Sequence, residues 1–311
     1  MVDAGLPQEL PPESPGPARA TFKPRGLRGL PLRFVVPNVV TLLALCAGLT
    51  AIRFAIEARF DSAVLAILVA AILDGVDGRI ARALKGSSRF GAELDSLADF
   101  IDFGVAPGLV LYLWSLQDVK TFGWVAVLFF AIAAALRLAR FNVMIDDPNK
   151  PAWMGRFFTG MPAPAGAIVV LLPLYLHEAL ELPPSPRLAW LEIAYVIGVA
   201  LLMASRIPHF SGKSIGRVPR EKFILVLFAV AAFLVLLASF PMQMLIVLSL
   251  AYLGLIPLSM RSFRRLSEQD AQAAATARAF SSEVEPGSRE ENALNQESSA
   301  SSVKGYSPNS R

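Results

Sequence analysis

Eight long runs of apolar residues follow one another along the chain, and short polar connections separate them. A run of about 20 apolar residues is long enough to cross a bilayer as a helix. The pattern therefore predicts an all-α integral membrane protein. The expected spans are 37–56, 62–84, 91–115, 122–145, 160–180, 188–206, 222–240 and 242–260.

Polar stretches at both ends and after the sixth run divide the chain into four parts. Residues 1–36 predict a disordered lead, whose last part (25–36) mixes Arg with Leu and Phe and suits a membrane surface. Residues 37–206 form a six-span core, and residues 207–260 form a loop and two additional spans. Residues 261–311 are polar and rich in Ser, Glu and Ala, which predicts a disordered tail.

Composition agrees with a membrane protein, because 54% of the residues are hydrophobic and 17% are charged. The single cysteine, Cys46, excludes a disulfide framework and a cysteine-based metal site. No nucleic-acid partner is expected.

Basic residues concentrate in alternate connections, which predicts orientation through the positive-inside rule. Both termini and the connections after the second, fourth and sixth spans should face the cytoplasm of a bacterial inner membrane. The residues that carry this asymmetry are Arg19, Lys23, Arg25, Arg28, Arg33, Arg79, Arg82, Lys85, Arg89, Arg137, Arg140, Lys150, Arg156, Arg206, Lys213, Arg217, Arg220, Lys222, Arg261, Arg264 and Arg265.

Four aspartates interrupt the second and third spans: Asp74, Asp77, Asp95 and Asp99. A charged residue in the middle of a membrane helix costs about 2.5–3.5 kcal/mol on insertion scales, so each of these needs a compensating partner. Each pair is spaced three or four residues apart, which places its members on one helix face. A tight turn between the two spans would bring the two faces together.

Clustered carboxylates repel one another unless cations hold them. An all-oxygen set without histidine suits Mg²⁺ or Mn²⁺, and two such ions can clamp a pyrophosphate. Three other interpretations are weighed against this one. They are Asp–Arg ion pairs that tie loops to the surface, a cation transporter, and a structural membrane scaffold. Transport is disfavoured because residues 160–260 contain no second copy of the Asp-rich pair.

The complete motif reads Asp74-x2-Asp77-Gly78-x2-Ala81-Arg82-x8-Gly91-x3-Asp95-x3-Asp99. It resembles the signature of the CDP-alcohol phosphatidyltransferase family, with every position filled. The resemblance covers roughly residues 34–206 and implies that family's six-helix core, followed here by two C-terminal transmembrane helices. It also implies an enzyme that uses CDP-diacylglycerol and a divalent cation, in most cases as a homodimer.

The resemblance further implies roles for individual residues. The metal ligands would be Asp74, Asp77, Asp95 and Asp99, and Asp99 would also be the base that deprotonates the incoming alcohol. The CDP-diacylglycerol site would be lined by Pro37, Asn38, Thr41, Gly78, Arg82 and Ser88. For Asn38 and Thr41 an ordinary helix-capping role is an open alternative.

Three stretches, Phe90–Pro107, Ala135–Asn142 and Thr159–Pro164, are similar to the serine-using bacterial members of the family. L-Serine is therefore the expected acceptor, and phosphatidylserine and CMP are the expected products. The alternative is another acceptor of the family, such as the glycerol phosphate used by phosphatidylglycerophosphate synthases.

Serine is a zwitterion, so its carboxylate needs a cation and its ammonium group an acceptor. Arg137, Arg140 and Asn142, at the end of the fourth span, are the candidates for serine binding. Positive-inside anchoring of the two arginines is the alternative. Asp102 is a fifth acid, outside the signature, with no assigned role. Gly104-x3-Gly108 would permit close packing of two helices, including helices from two subunits.

Overall fold

The computed structural model describes residues 32–84, 86, 88–145, 157–181, 185–210 and 220–303. Ten α-helices lie within these ranges: α1 Leu32–Ile56, α2 Phe60–Ala83, α3 Arg89–Asp99, α4 Ala106–Trp114, α5 Thr121–Ile145, α6 Ala163–Val170, α7 Leu172–Ala179, α8 Pro186–Ala204, α9 Phe223–Ser239 and α10 Pro241–Val303. A π-helix, Phe100–Val105, joins α3 to α4. Short 3₁₀ turns lie at Leu116–Val119 and Arg220–Lys222, and two strands, β1 Phe157–Thr159 and β2 Pro208–Phe210, pair with each other.

The all-α membrane architecture is confirmed, and each of the eight predicted apolar runs contains helix. Within the described ranges, five helical segments are long and apolar enough to cross a bilayer: Val35–Ile56, Arg89–Trp114, Thr121–Met144, Arg187–Ala204 and Pro241–Ala273. The helical stretches Ala163–Ala179 and Phe223–Ser239 are equally apolar but shorter. Helix α2 has 24 residues, enough for about 36 Å of helix, but it carries the charges of the Asp-rich motif.

The structure corrects several predicted boundaries. Helix α1 begins at Leu32, so the last residues of the predicted surface segment belong to the first helix and Pro37 lies inside it. The fifth predicted run is divided at Leu171, where Pro173 lies in the first turn of α7 and has no N–H to continue the α6 ladder. Residues 1–31 of the predicted 1–36 lead lie outside the described residues.

The prediction of a disordered tail from residue 261 is wrong for the described part, because α10 continues without interruption to Val303. The segment that follows Met260 is poor in apolar residues, which favoured disorder. Its first part, residues 264–279, is nevertheless rich in Ala, Gln and Arg, which have high helix propensities, and it extends a helix that has already been nucleated.

Helices α1 and α2 form an antiparallel hairpin with largely alanine-rich buried faces. In α1 the fully buried positions include Ala44, Ala51 and Ala55, and in α2 they include Ala63 and Ala70. Small side chains let two helix backbones approach closely, as in other membrane helix pairs. The hairpin also packs on α3, the π-helix and α4, so it forms one wall of the space in which the aspartates lie.

The third predicted span is one continuous rod of three helical segments, in which the π-helix lies between α3 and α4. In its middle, the N–H of Ala106 bonds to the carbonyl of Ile101, a five-residue step that marks the π-helix. Gly104 and Gly108 then face α5, where an added Cβ would lie 2.9 Å from Ala134 Cβ and 2.9 Å from Val127 Cγ1 respectively. These two glycines therefore serve packing within the chain, and they give no support to a subunit interface.

The small β1–β2 sheet connects the segment before α6 to the segment after α8, and α10 packs against it. Phe157 on β1 stacks on Phe210 with ring centroids 5.6 Å apart, and it makes an edge contact with Phe263 of α10 at 5.4 Å. His209 on β2 stacks on Tyr252 of α10 at 5.7 Å. The last helix is thereby held against the six-helix core.

We expect Gly108→Val to destabilise the protein, because its new side chain would collide with Val127 on α5. Overpacking of this kind typically costs about 1–3 kcal/mol. Gly254→Val in α10 is the matched control, since a Cβ there meets nothing within 4 Å. Thermal unfolding in detergent should show a clearly lower midpoint for the Gly108 variant alone. Equal midpoints for the two variants would contradict this packing.

Candidate active site

Three of the four predicted aspartates meet between α2 and α3. Carboxylate oxygens of Asp74, Asp95 and Asp99 all lie within 4.8 Å of one another, and each side chain is half-buried. The turn between the helices produces this arrangement, because it returns the chain within five residues. The Oγ of Ser88 accepts a hydrogen bond from the N–H of Gly91 at 3.0 Å and so caps the start of α3.

The carboxyl groups of Asp74 and Asp99 place oxygens within 4.8 Å of each other. Two ionised carboxylates repel at this separation, so the contact requires a proton or a cation between them. Asp95 adds a third negative group to the same space, on the helical turn before Asp99. The cluster is thus a concentrated site of negative charge in the interior of a helical bundle.

Asp77 lies beside this group of three, with its own partner. Its Oδ2 accepts a hydrogen bond of 2.7 Å from Thr41 Oγ1, and its side chain is only 3% exposed. It interacts electrostatically with Asp74 and Asp95, so it contributes to the field of the cluster. Of the four predicted ligands, Asp77 is the one whose orientation is fixed by a neighbouring helix.

Helix α1 supplies the residues that hold the motif in place. Asn38 lies against the motif glycine Gly91, where an added Cβ would be 2.8 Å from the Asn38 Oδ1. Thr41 reaches Asp77, as described above. The helix-capping alternative for Asn38 and Thr41 is wrong, because α1 begins at Leu32, well before either residue. Pro37 is buried one turn before Thr41, and its carbonyl oxygen lies 3.2 Å from Thr41 Oγ1.

Gly78 and Arg82 lie on the exposed continuation of α2 beyond the aspartates. The Arg82 guanidinium passes over Gly78, with Nη1 3.5 Å from where a Cβ would be. Arg82 is exposed, and it makes no ion pair within the described part of the chain. Beside a negative cluster, an unpaired guanidinium over a glycine leaves room for a phosphate to approach both.

The three residues predicted to bind serine have different surroundings. Arg137 is buried at 7% exposure, and it interacts electrostatically with Asp74 and Asp99. Arg140 donates from Nη1 to the carbonyls of Ala204 and Ser205 at 2.8 and 3.1 Å, so it caps the end of α8. Asn142 donates from Nδ2 to Ser96 Oγ on α3 at 2.9 Å. Arg137 is therefore the one of the three that lies beside the cluster.

Asp102, the fifth acid, is almost fully buried in the π-helix, at 1% exposure. Its Oδ1 has no hydrogen-bond partner in the described structure, and it lies against Gly48 of α1, where any larger residue would collide with it. Asp102 also interacts electrostatically with Asp74. It faces the hairpin α1–α2 from behind the cluster and lies outside the group of three carboxylates.

The site is chemically suited to hard divalent cations. Its donors are carboxylate oxygens from rigid helices, without histidine or cysteine among the three, which is the ligand set that Mg²⁺ and Mn²⁺ prefer. The close contact of Asp74 with Asp99 supports the fit, because a cation would relieve the repulsion that this contact creates. Asp74, Asp95 and Asp99 are the residues placed to hold such an ion, with Asp77 at their side.

Comparisons with known proteins agree with this site. Residues 34–205 match the family model described as CDP-alcohol phosphatidyltransferase. The chain belongs to the CDP-alcohol phosphatidyltransferase family.

Its relatives within that family are named for one acceptor. The chain is 43% identical over 249 residues to the CDP-diacylglycerol–serine O-phosphatidyltransferase of Mycobacterium bovis, covering 79% of this chain and 85% of the relative. It is 43% identical over 250 residues to the Mycobacterium leprae enzyme of the same name, covering 79% and 81%. It is 34% identical over 178 residues to that of Helicobacter pylori, covering 57% and 73%.

Sequence reasoning missed some of the residues that surround the site. The contact of Gly48 with Asp102 joins two helices more than fifty residues apart in sequence, and no local sequence pattern predicts it. The one sequence signal is that Gly48 follows Thr41 by seven residues, which places both on the same face of α1. Thr41 was expected to line the nucleotide site, and the structure gives it a hydrogen bond to Asp77.

We expect Thr41→Val to weaken divalent-cation binding, because it removes the hydrogen bond that orients Asp77. Loss of a partner behind a metal ligand typically costs 10–100-fold in affinity. Mn²⁺ binding to the purified protein, measured by electron paramagnetic resonance of the free ion, should show this decrease. Thr50→Val on the same helix is the control, because its hydroxyl bonds only to the Cys46 carbonyl. Equal affinities for both variants and wild type would contradict the role of Thr41.

Proposed function

We propose that this protein transfers the phosphatidyl group of CDP-diacylglycerol to L-serine and releases CMP, which makes it a CDP-diacylglycerol–serine O-phosphatidyltransferase. The observation that carries the proposal is the group of Asp74, Asp95 and Asp99 within 4.8 Å, with the buried Arg137 beside it. The mycobacterial relatives, which match most of both chains, bear the corresponding name.

The substrates would meet at the cluster from two directions. The acyl chains of CDP-diacylglycerol would stay in the bilayer, while Gly78, Arg82 and Ser88 would receive its pyrophosphate and nucleotide near the exposed end of α2. Pro37, Asn38 and Thr41 would complete that side from α1. Mg²⁺ or Mn²⁺, as two ions in our proposal, would be held by Asp74, Asp77, Asp95 and Asp99 and would supply neutralisation of the pyrophosphate charge when bound.

Asp99 would be the general base of the reaction. It would accept the proton of the serine hydroxyl while the serine oxygen forms a bond to the phosphorus that carries the diacylglycerol. The bond from this phosphorus to the bridging oxygen of CMP would break, and CMP would leave with the electron pair. Much of the acceleration would come from the fixed positions of the reacting groups, because the site is built on rigid helices.

Arg137 favours serine over an acceptor that is itself a phosphate ester. It is the only buried arginine in the described part of the chain, and Arg140 is committed to the carbonyls that end α8. One buried guanidinium matches the single carboxylate of serine, whereas a doubly charged phosphate needs more positive charge. In this proposal Asn142 keeps α5 attached to α3 through Ser96 and supports the serine pocket from behind.

The proposed location is a bacterial inner membrane, with both termini and the active site on the cytoplasmic side. The positive-inside asymmetry supports this orientation, because the turn between α2 and α3 and the ends of α5 and α8 carry basic residues. A homodimer is also proposed, on family resemblance alone, since Gly104 and Gly108 pack within the chain.

Release of CMP from purified protein with CDP-diacylglycerol and Mn²⁺ tests the function directly. L-Serine, glycerol 3-phosphate, inositol phosphate and choline should be compared as acceptors. We expect release that depends on both L-serine and the metal. Release with another acceptor alone would overturn the serine assignment, and release with none would overturn the catalytic proposal.

We expect Asp99→Asn to lower the turnover number by about 100-fold or more, because an amide cannot take the hydroxyl proton. The measurement is the rate of CMP release at saturating L-serine, together with a thermal midpoint that shows retained folding. Asp61→Asn, at the exposed start of α2, is the matched control and should retain activity. An active Asp99→Asn variant would remove Asp99 from the role of base.

A further inference from the structure

The last helix brings a polar side chain towards the cluster from outside the family core. The family match ends at residue 205, whereas α10 begins at Pro241. On α10, the phenol of Tyr252 lies within electrostatic range of the Arg137 guanidinium. Arg137 in turn interacts with Asp74 and Asp99. A residue of the additional helices is therefore connected to the carboxylate site through one arginine.

Two buried polar atoms in this region have no hydrogen-bond partner in the described structure. They are the hydroxyl of Tyr252 and the Nε2 of His209, whose residue is only 1% exposed. The guanidinium of Arg137, which offers five N–H donors, lies over the ring of Phe141 with its Cζ 5.4 Å from the ring centroid. Buried polar atoms are nearly always paired, so the two unpaired atoms of Tyr252 and His209, close to this guanidinium, indicate a missing polar ligand.

The hydrogen-bonding character of each group can be assigned. The Nδ1 of His209 lies 3.2 Å from the carbonyl oxygen of Ile207, which can only accept, so Nδ1 carries the proton of the neutral ring. Burial lowers the pKa of His209 to about 4, and the ring is therefore neutral at neutral pH. Its Nε2 is then an acceptor, whereas the Tyr252 hydroxyl and the Arg137 guanidinium are donors.

Two donor groups and one acceptor are the partners that an α-amino acid requires. A carboxylate accepts hydrogen bonds from a guanidinium and a phenol, and an ammonium group donates to an imidazole nitrogen. A phosphate ester could accept hydrogen bonds from the guanidinium and the phenol, but it has no ammonium group to donate to the imidazole nitrogen. The arrangement is therefore better matched to a zwitterion than to an anion.

We propose that Tyr252 and His209 complete the acceptor pocket: Tyr252 with Arg137 binds the carboxylate of L-serine, and the Nε2 of His209 binds its ammonium group. This inference rests on the proposed function, and it assigns specificity to residues outside the family core. The stacking of Tyr252 on His209 at 5.7 Å, with their planes 22° apart, would hold the two side chains in register. The serine hydroxyl would then be directed towards Asp99, with which Arg137 interacts.

Steady-state kinetics of CMP release in Tyr252→Phe and His209→Phe test the pocket. Both changes keep an aromatic ring for the stack and remove the polar atom. We expect the KM for L-serine to rise about tenfold or more, as for the loss of a hydrogen bond to a charged group, while the KM for CDP-diacylglycerol stays within about twofold. A residue that only supports the fold would not separate the two constants.

Tyr195→Phe is the matched control, because the Tyr195 hydroxyl bonds to the carbonyl of Val169 at 2.7 Å and interacts with neither Arg137 nor His209. Its KM for L-serine should equal that of the wild type. If wild type uses L-serine and the folded variants retain its KM for serine, the pocket is overturned while the proposed function stands. If the KM for L-serine and the KM for CDP-diacylglycerol rise together, the pocket is also overturned while the proposed function stands. If wild type does not use L-serine, the proposed function and the pocket both fail. Tyr252 and His209 lie on separate segments, so one variant still tests the pocket if the other does not fold.

Discussion

Repulsion among carboxylates inside a membrane bundle is the constraint on which the rest of this structure depends. Asp74, Asp95 and Asp99 lie within 4.8 Å of one another, and Asp77 lies beside them. Water screens such charges poorly in a helical interior, so their attraction for cations is correspondingly strong. A bundle that keeps these groups together must resist the tendency of the helices to move apart. It must also do so whenever no cation is bound between the carboxylates.

Helix α1 provides that resistance. It packs closely along α2, it orients Asp77 through Thr41, and it contacts the start of α3 through Asn38. These contacts attach α2 and α3, the two helices that the carboxylates would separate, to the same third helix. On the opposite side, α5 packs directly against Gly104 and Gly108, and its Arg137 adds a positive charge that interacts with Asp74 and Asp99. The same few helices therefore carry both the functional residues and the residues that pack the bundle.

The sequence allowed prediction of the parts that depend on local periodicity. Asp74 and Asp77, like Asp95 and Asp99, share helix faces because of their spacing, and the short turn between the helices determined that these faces meet. The fate of Arg140 could not be predicted in this way, because its partners are carbonyls more than sixty residues away. Arg137 and Arg140 look alike in sequence, and only the tertiary packing of α8 distinguishes them. The tail was mispredicted for a different reason: low hydrophobicity argues against a packed core, but it does not argue against a helix that continues from an apolar one.

The π-helix between α3 and α4 has a consequence for how this family member can vary. A π-turn accommodates one residue more than an α-turn, and each residue of an α-helix turns the chain by about 100°. Removal of one residue from Phe100–Val105 would let the α-helix run straight through, and the face that carries Asp95 and Asp99 would then rotate relative to the face that carries Gly104 and Gly108. Either the acids would leave the cluster or the glycines would leave α5. The number of residues between Asp99 and Gly104 therefore sets the rotation of the acidic face relative to the packing face, and a change in the length of this segment would disturb one of the two.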